Sequence, residues 1–185
     1  VQATVSAETL ELLHAAVCEC LARSDGIEFA WIGHLDRANE TVELRASAGS
    51  ERGTLDRTPV ELEGNDEPTA RAIIDREPVI INHVATGFDD EWRLAALEHG
   101  VQSIAAIPLL HGEMLHGVVT LHADDPNAFD ELGAIAKDIG RIVGHASTAI
   151  QCQNALLSHV SMELDIEITA PACFFVRFVQ ETGAS

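Results

Sequence analysis

Apolar and polar positions are most sharply ordered between Gly100 and Phe129, where SIAAIPLL and LHGVVTLHA flank Gly112-Glu113. Two apolar runs around a glycine-containing turn predict a β-hairpin. An even-length turn there pairs Leu109 with His116, Ile107 with Val118, Ala105 with Thr120 and Ser103 with His122. Side chains alternate across a strand, so this register puts Ser103, Ala105, Ile107, Val118, Thr120 and His122 on one face and Ile104, Ala106, Val119 and Leu121 on the other. The second set is wholly apolar and expects a helix layer. The first mixes small, polar and titratable groups, as a concave ligand site does.

The rest of the chain arranges itself around this hairpin. Leu10, Leu13, Val17 and Leu21 form a helical stripe over Ser6 to Arg23, with Ser6 as N-cap and Gly26 beyond the end. Ile27 to Leu35 and Thr41 to Ala48 read as strands joined by the turn DRANE. A polar stretch to Asn65 reads as loop, with a short strand at Pro59 to Leu62. Asp66 is expected to cap a short helix with Pro68 in its first turn and Ala70, Ile73 and Ile74 on its apolar side. Glu77-Pro78 stops it, and Val79 to Ile81 follows as a strand.

Asp89 or Asp90 can cap a helix from Glu91 to His99 that Gly100 ends. Trp92, Ala95, Ala96 and His99 share a face of it, and the room beside the indole suits a ligand or a neighbouring side chain; core anchor is the favoured reading for Trp92. From Asp130 a long helix carries Leu132, Ile135, Ala136, Ile139, Ile142 and Val143 at near-heptad spacing, with Gly140, Gly144 and Thr148 every four residues. Each interior glycine costs about 1 kcal/mol against alanine, so close approach of another helix is the expected compensation. The first helix of the same chain, or a terminal helix of a second chain, would supply it. Leu10, Leu13, Val17, Ile139, Gly140 and Gly144 are therefore the expected helix-packing and homodimer residues. His159 to Ile168 alternates strictly and Cys173 to Val179 is a second strand; two strands are too few to fold alone.

Composition narrows the function. The formal net charge is -19, with Lys137 the only lysine and no tyrosine, yet 46% of residues are hydrophobic, so the charge sits on a folded surface. Such a surface repels nucleic acid, which needs clustered Lys and Arg, so direct DNA contact is not expected. With no membrane-length apolar run and no signal-peptide pattern, a cytoplasmic location is expected and membrane association is not. The four cysteines give neither a disulfide framework nor a zinc knuckle: Cys18 and Cys20 point different ways from one helix, while Cys152 and Cys173 stand alone. His116 and His122 lie about 20 Å apart along one strand, too far to share a metal, and His111 is expected at the solvent-facing turn. No metal and no catalytic residue is assigned, and a cofactor is not specified.

The order helix, hairpin, loop, short helix, strand, helix, hairpin, long helix resembles a GAF domain. The stretches FAWIGHLDRANETVELRASAG, PTARAIIDREPVIINHV, WRLAALEHGVQSIAAIPLLHGEMLHGVVTLHADDPNAFDE and LLSHVSMELDIEITAPACFFVRFVQETG resemble, in that order, the haloarchaeal bacterio-opsin-activator type of transcriptional regulator. That resemblance implies an α+β, GAF-like fold. A central antiparallel sheet of five to six strands would carry the terminal helices on one face and pocket-forming loops and short helices on the other. It also implies a sensory domain over residues 1–153 and, over 154–185, a β-hairpin fragment of the associated β-rich domain, with DNA contact left to a helix-turn-helix outside this chain. The residue sets that accompany cyclic-nucleotide binding or bilin attachment in this family are not found.

Three functional readings follow. The leading one is a non-catalytic sensory module that binds a small-molecule ligand of unknown identity and dimerises. Its pocket would be lined by Trp92, Ser103, Ala105, Thr120 and His122 and roofed by the loop from Gly49 to Asn65. For His122 the alternative is a core histidine bonded to Ser103 across the strands. The second reading is a redox enzyme of the GAF fold, like the free methionine sulfoxide reductases; the third is a purely structural dimer. An acid-rich, lysine-poor surface also resembles proteins of salt-loving archaea, in which screening relieves self-repulsion. The melting temperature is accordingly expected to fall markedly on dilution from molar to low salt, and a midpoint indifferent to salt removes the halophile reading.

Overall fold

The structure, a computed structural model, describes residues 2–50, 59–64, 66–86 and 90–159. Helix α1 (Gln2–Ala22) leads into strands β1 (Phe29–Asp36) and β2 (Thr41–Gly49), then β3 (Val60–Glu61), helix α2 (Pro68–Asp75) and strand β4 (Val79–Ile81). Helix α3 (Glu91–Glu98), the hairpin β5 (Ser103–His111) and β6 (Met114–Ala123), and helix α4 (Ala136–His159) complete it. The strands form one antiparallel sheet in the order β3-β2-β1-β6-β5-β4. The turn after β1 closes where the Asp36 carboxylate accepts from the Ala38 backbone N–H and the Asn39 amide, as short polar side chains do in turns.

Helices α1 and α4 cover one face of the sheet, burying Cys18, Ala30, Ile32, Ala105, Ile107, Leu109, Val119 and Leu121. The other face meets α2, where Val42, Ala72, Ile73, Val79, Ala106 and Val118 cluster. Beside them, Val84, Ala96, Val101 and Ile104 pack under α3 with Trp92. Strands β5 and β6 are therefore buried on both sides, which explains their near-continuous apolar runs. The expected α+β fold, with terminal helices on one face and short helices on the other, is the fold observed.

The register of the central hairpin differs from the expected one. His111 faces Met114 and Leu110 faces Leu115 as an even turn requires, but Leu109 then faces Gly117, so His116 is an extra residue. This β-bulge shifts every later pair by one and turns β6 over relative to β5. Thr120 faces Ala106 and His122 faces Ile104, while Ser103 and Ala105 lie opposite Ala123 and Leu121 on the side of α1 and α4. The cause is close approach to β1. Gly117 has φ +151, and a Cβ there would overlap the Gly33 carbonyl oxygen, so only glycine fits and the strand bulges around it. The register of β1 with β2 also shifts at Ile32/Gly33, leaving Arg45 as a second extra residue.

Gly140 and Gly144 do not serve a helix–helix seam. A Cβ at Gly140 would overlap the Pro108 carbonyl oxygen and one at Gly144 the Leu110 backbone, so both let α4 lie directly on β5. They are buried there and unavailable to a second chain, which corrects the dimer expectation for these two positions. Val17 packs against the same core, while Leu10, Leu13 and Ile139 are half-buried.

Smaller differences have local causes. Glu67, not Asp66, caps α2, because its carboxylate accepts from the Thr69 and Ala70 backbone N–H groups. Asp130 accepts from the Asn82 amide, at 2.6 Å, instead of opening a helix; a 3-10 turn over Leu132–Ala134 intervenes before α4. Helix α4 continues past the expected boundary at Gln153 to His159. The expected C-terminal hairpin and Cys173 lie outside the described residues, as does most of the loop expected to roof the pocket.

Gly144→Ala sets two effects against each other: about 1 kcal/mol of helix propensity gained, and a clash with backbone that cannot rotate away. Overpacking of this kind costs about 1–3 kcal/mol. Chemical denaturation is expected to show net destabilisation, and a variant as stable as its parent removes the case for close α4–β5 contact.

Candidate functional site

With β6 turned over, Thr120 and His122 face α2 and α3 at the centre of the sheet, fully buried. Proline at the first position of α2 and Glu67 as its cap place Thr69 directly over Thr120. The Thr69 hydroxyl donates to Glu67 Oε1 at 2.7 Å and lies 3.1 Å from Thr120 Oγ1. Since the Thr69 proton is committed to Glu67, Thr120 donates to Thr69 and a chain Thr120–Thr69–Glu67 runs from strand to helix cap. Burial pushes the Glu67 carboxyl above the usual carboxylate range, opposed by hydrogen bonds from Thr69 and from the Ala70 and Thr69 backbone. The His122 ring sits 5.8 Å from the Phe29 ring, beside this chain.

Trp92 borders the same side of the sheet. It is half-buried against Val84, Ala96, Val101 and Ile104, so its role as a core anchor is borne out. The Arg93 guanidinium lies 4.4 Å from the indole centroid, tied by Nε to Asp90 at 2.9 Å and by Nη1 to the Val84 carbonyl at 3.0 Å. The Trp92 Nε1–H is buried with no acceptor among the described residues. Outside it opens a groove lined by Glu61, Glu63, Gly64, Asp66, Asp90, Glu91 and Trp92. Five carboxylates on this rim make it repel anions.

Of the five expected ligand residues, the structure brings Thr120 and His122 together, with Trp92 on the same side of the sheet. Ser103 and Ala105 lie on the opposite face, where the Ser103 hydroxyl donates to the Asp125 carbonyl at 2.7 Å instead of pairing with His122. Glu67 and Thr69 were missed by sequence reasoning. Their signal was present: an acid directly before Pro68 is a cap, and a threonine in the first turn of a half-buried helix needs a partner.

A second polar cluster lies on the α1 and α4 side, where the two bulges leave Arg45 and His116. His116 bonds Thr148 through Nε2 at 2.7 Å, and the His34 Nδ1–H donates to the His116 carbonyl at 3.2 Å. His14 on α1 is 4% exposed, and its Nε2 has no partner among the described residues. Burial first, then the nearby His34, His116 and Arg45, push the His14 imidazole down from 6.5 to about 4. Burial, His111 and His34 also lower His116. Cys18, buried on the same helix, is pushed up to about 12, so it carries no thiolate near neutral pH. Cys20 and Cys152 are exposed on the helices, away from Thr120.

A six-stranded antiparallel sheet, closed by terminal helices on one face and by short helices over a buried polar patch on the other, defines a GAF-type α+β domain. Residues 4–151 match the GAF domain family, and the chain belongs to it. Among curated proteins none matches the sequence. Solved structures share the fold. One is type II free methionine-R-sulfoxide reductase from Thermoplasma acidophilum, 17% identical with a TM-score of 0.64, over 78% of this chain and 96% of that one. Another is the GAF domain of a phosphoenolpyruvate-protein phosphotransferase from Coxiella burnetii, 14% identical with a TM-score of 0.64, over 79% and 86%. The second GAF domain of DevS from Mycobacterium smegmatis is 13% identical with a TM-score of 0.57, over 80% and 99%. Identities this low establish the fold alone. Among the described residues no helix is long and apolar enough to cross a membrane.

The buried histidine sets a pH dependence. An unfolded chain protonates His14 near 6.5 while the folded one resists until about 4, so the unfolded state binds more protons between those values. The stability is complete above about pH 6.5, falls as pH drops towards 4 and levels off below it. After a discount for solvent screening the loss is on the order of 2 kcal/mol. Denaturation of wild type and His14→Leu across this window isolates the effect: the variant is expected to lose less stability on acidification, and parallel curves rule it out.

Proposed function

We propose that this chain is the sensory, ligand-binding module of a transcriptional regulator, that it dimerises and that it carries out no reaction of its own. The observation that carries the ligand-binding part is the buried Trp92 Nε1–H without an acceptor among the described residues, on a side chain that also lines an open groove. A buried donor left unpaired costs about 1–3 kcal/mol, so an acceptor supplied by a ligand or an ordered water is the economical answer. The acidic rim selects a neutral or cationic molecule over an anion. His122 and the Thr120–Thr69–Glu67 chain lie buried on the same side of the sheet, the polar groups nearest to hand for a ligand that opens that layer. Placement of the described cysteines on α1 and α4, with Cys18 held as a thiol, supports a non-catalytic module.

The regulator assignment, and DNA contact through a helix-turn-helix elsewhere, rest on the sequence resemblance given above and on the strongly acidic surface. For dimerisation the support is an apolar stripe on the outside of the terminal helices. Leu12 is 69% exposed on α1, and Ile142 and Leu156 are 67% and 69% exposed on α4. On α4, Ile142 and Leu156 are two heptads apart, a seam for a second copy. These positions replace Gly140 and Gly144 as the proposed contact.

A thermal-shift screen of neutral and cationic small metabolites tests the ligand reading. A molecule that raises the melting temperature of wild type is expected to lose most of that effect in Trp92→Phe, which keeps the ring but removes the donor, and in Thr120→Val. Equal shifts in all three proteins move the site elsewhere. Reduction of methionine-R-sulfoxide by the same protein would replace the sensor with the enzyme reading.

A further inference from the structure

At the turn end of the central hairpin, His111 from β5 meets His145 from α4. His145 Nδ1 and His111 Nε2 are 3.3 Å apart, with the rings edge to face at 70° and their centroids 4.9 Å apart. The close packing of α4 on β5 through Gly140 and Gly144 delivers His145 to the strand end one residue beyond the second glycine. The pair is accessible: His145 is exposed and His111 half-buried.

The separation matches a particular chemistry. Two nitrogens bound to one tetrahedral zinc at 2.0–2.1 Å lie about 3.3–3.4 Å from each other. We propose that His111 and His145 form a two-histidine site for a divalent transition metal, zinc first, with water or an external ligand filling its remaining positions. No third His, Cys, Asp or Glu converges on the pair among the described residues. The site is therefore open and exchangeable, unlike the closed four-ligand sites that hold structural zinc.

In the metal-free protein one ring donates to the other. To bind zinc, both facing nitrogens must present lone pairs, so the donating ring moves its proton to its other nitrogen, and each ring swivels by roughly 35° to aim at a common point. No net proton leaves the neutral pair, but a protonated pair must release one, so binding weakens as pH falls. The metal would replace a single hydrogen bond with a coordinate bridge, pinning α4 to the tip of the β5–β6 hairpin. Imidazole suits zinc, copper and nickel alike, whereas magnesium and calcium prefer oxygen ligands and are excluded.

The test is isothermal titration of the full, tag-free chain with zinc chloride in a non-chelating buffer. One equivalent is expected to bind, at least tenfold more weakly to His111→Ala and to His145→Ala, while the exposed His99→Ala binds as wild type does. His145→Gln leaves His111 a hydrogen-bond partner but removes the imidazole; loss of zinc binding at an unchanged melting temperature there separates ligation from folding. Zinc that binds all the variants alike, binds none of them including wild type, or is matched by magnesium overturns the site.

Discussion

Between the pairs Leu110–Leu115 and Leu109–Gly117, β6 carries one residue more than β5, and the side-chain alternation of every position beyond it follows from that insertion. What forces it is the contact of Gly117 with the Gly33 carbonyl, a place where β1 and β6 run too close for any side chain. A strand fully buried on both faces has little intrinsic preference for which side is which, since Ala, Ile, Leu and Val satisfy either layer. The steric demand at one glycine therefore sets the partition: Val119 and Leu121 go to the terminal helices, Thr120 and His122 to the short ones. The same geometry recurs on the other side of β1, where Arg45 is displaced from β2. The polar chemistry of the helix face, with His14, His34 and His116 beside Arg45, is a by-product of these two insertions.

The buried polar groups divide into two kinds. Thr120, Thr69 and Glu67 satisfy one another and so stabilise the seat of α2 on the sheet while keeping a carboxyl in the interior. Trp92 and His14 instead carry buried nitrogens that no neighbour among the described residues satisfies. The first arrangement specifies position; the second leaves uncompensated desolvation, of the sort that marks a place where another molecule or a proton matters. These two nitrogens lie on helices packed against the sheet, His14 on α1 and Trp92 on α3.

Much of this architecture was legible in the sequence. Strand β4, the extents of β2 and α3, and the assignment of the terminal helices to scaffold followed from periodicity and from Gly and Pro punctuation, because those signals are local. The hairpin register was not legible, because the turn at Gly112-Glu113 does determine the first two pairs and the later shift depends on β1, far away in the chain. The glycines of α4 were recognised as marks of close approach but given the wrong neighbour, since spacing of four residues says that a surface comes near without saying whether it is helix or strand. The ligand face inherited the register error: Ser103 and Ala105 exchanged sides, and Glu67 and Thr69 went unseen because a helix cap and a strand threonine become one network only in three dimensions. The meeting of His111 and His145 belongs to the same class.

Seating α4 on bare strand backbone has a mechanical consequence. The helix is gripped near its first third, at Gly140 and Gly144, and runs on to His159. At 1.5 Å per residue the stretch beyond the grip is about 22 Å long. A pivot of ~5° at the strand end would carry the far tip about 2 Å, a lateral stroke comparable to the shifts by which helices repack at interfaces. The sheet, stiff and buried on both sides, is the fulcrum, and the two missing methyl groups bring helix backbone directly against strand backbone there, while the Thr148–His116 bond ties the lever to β6 one turn further on.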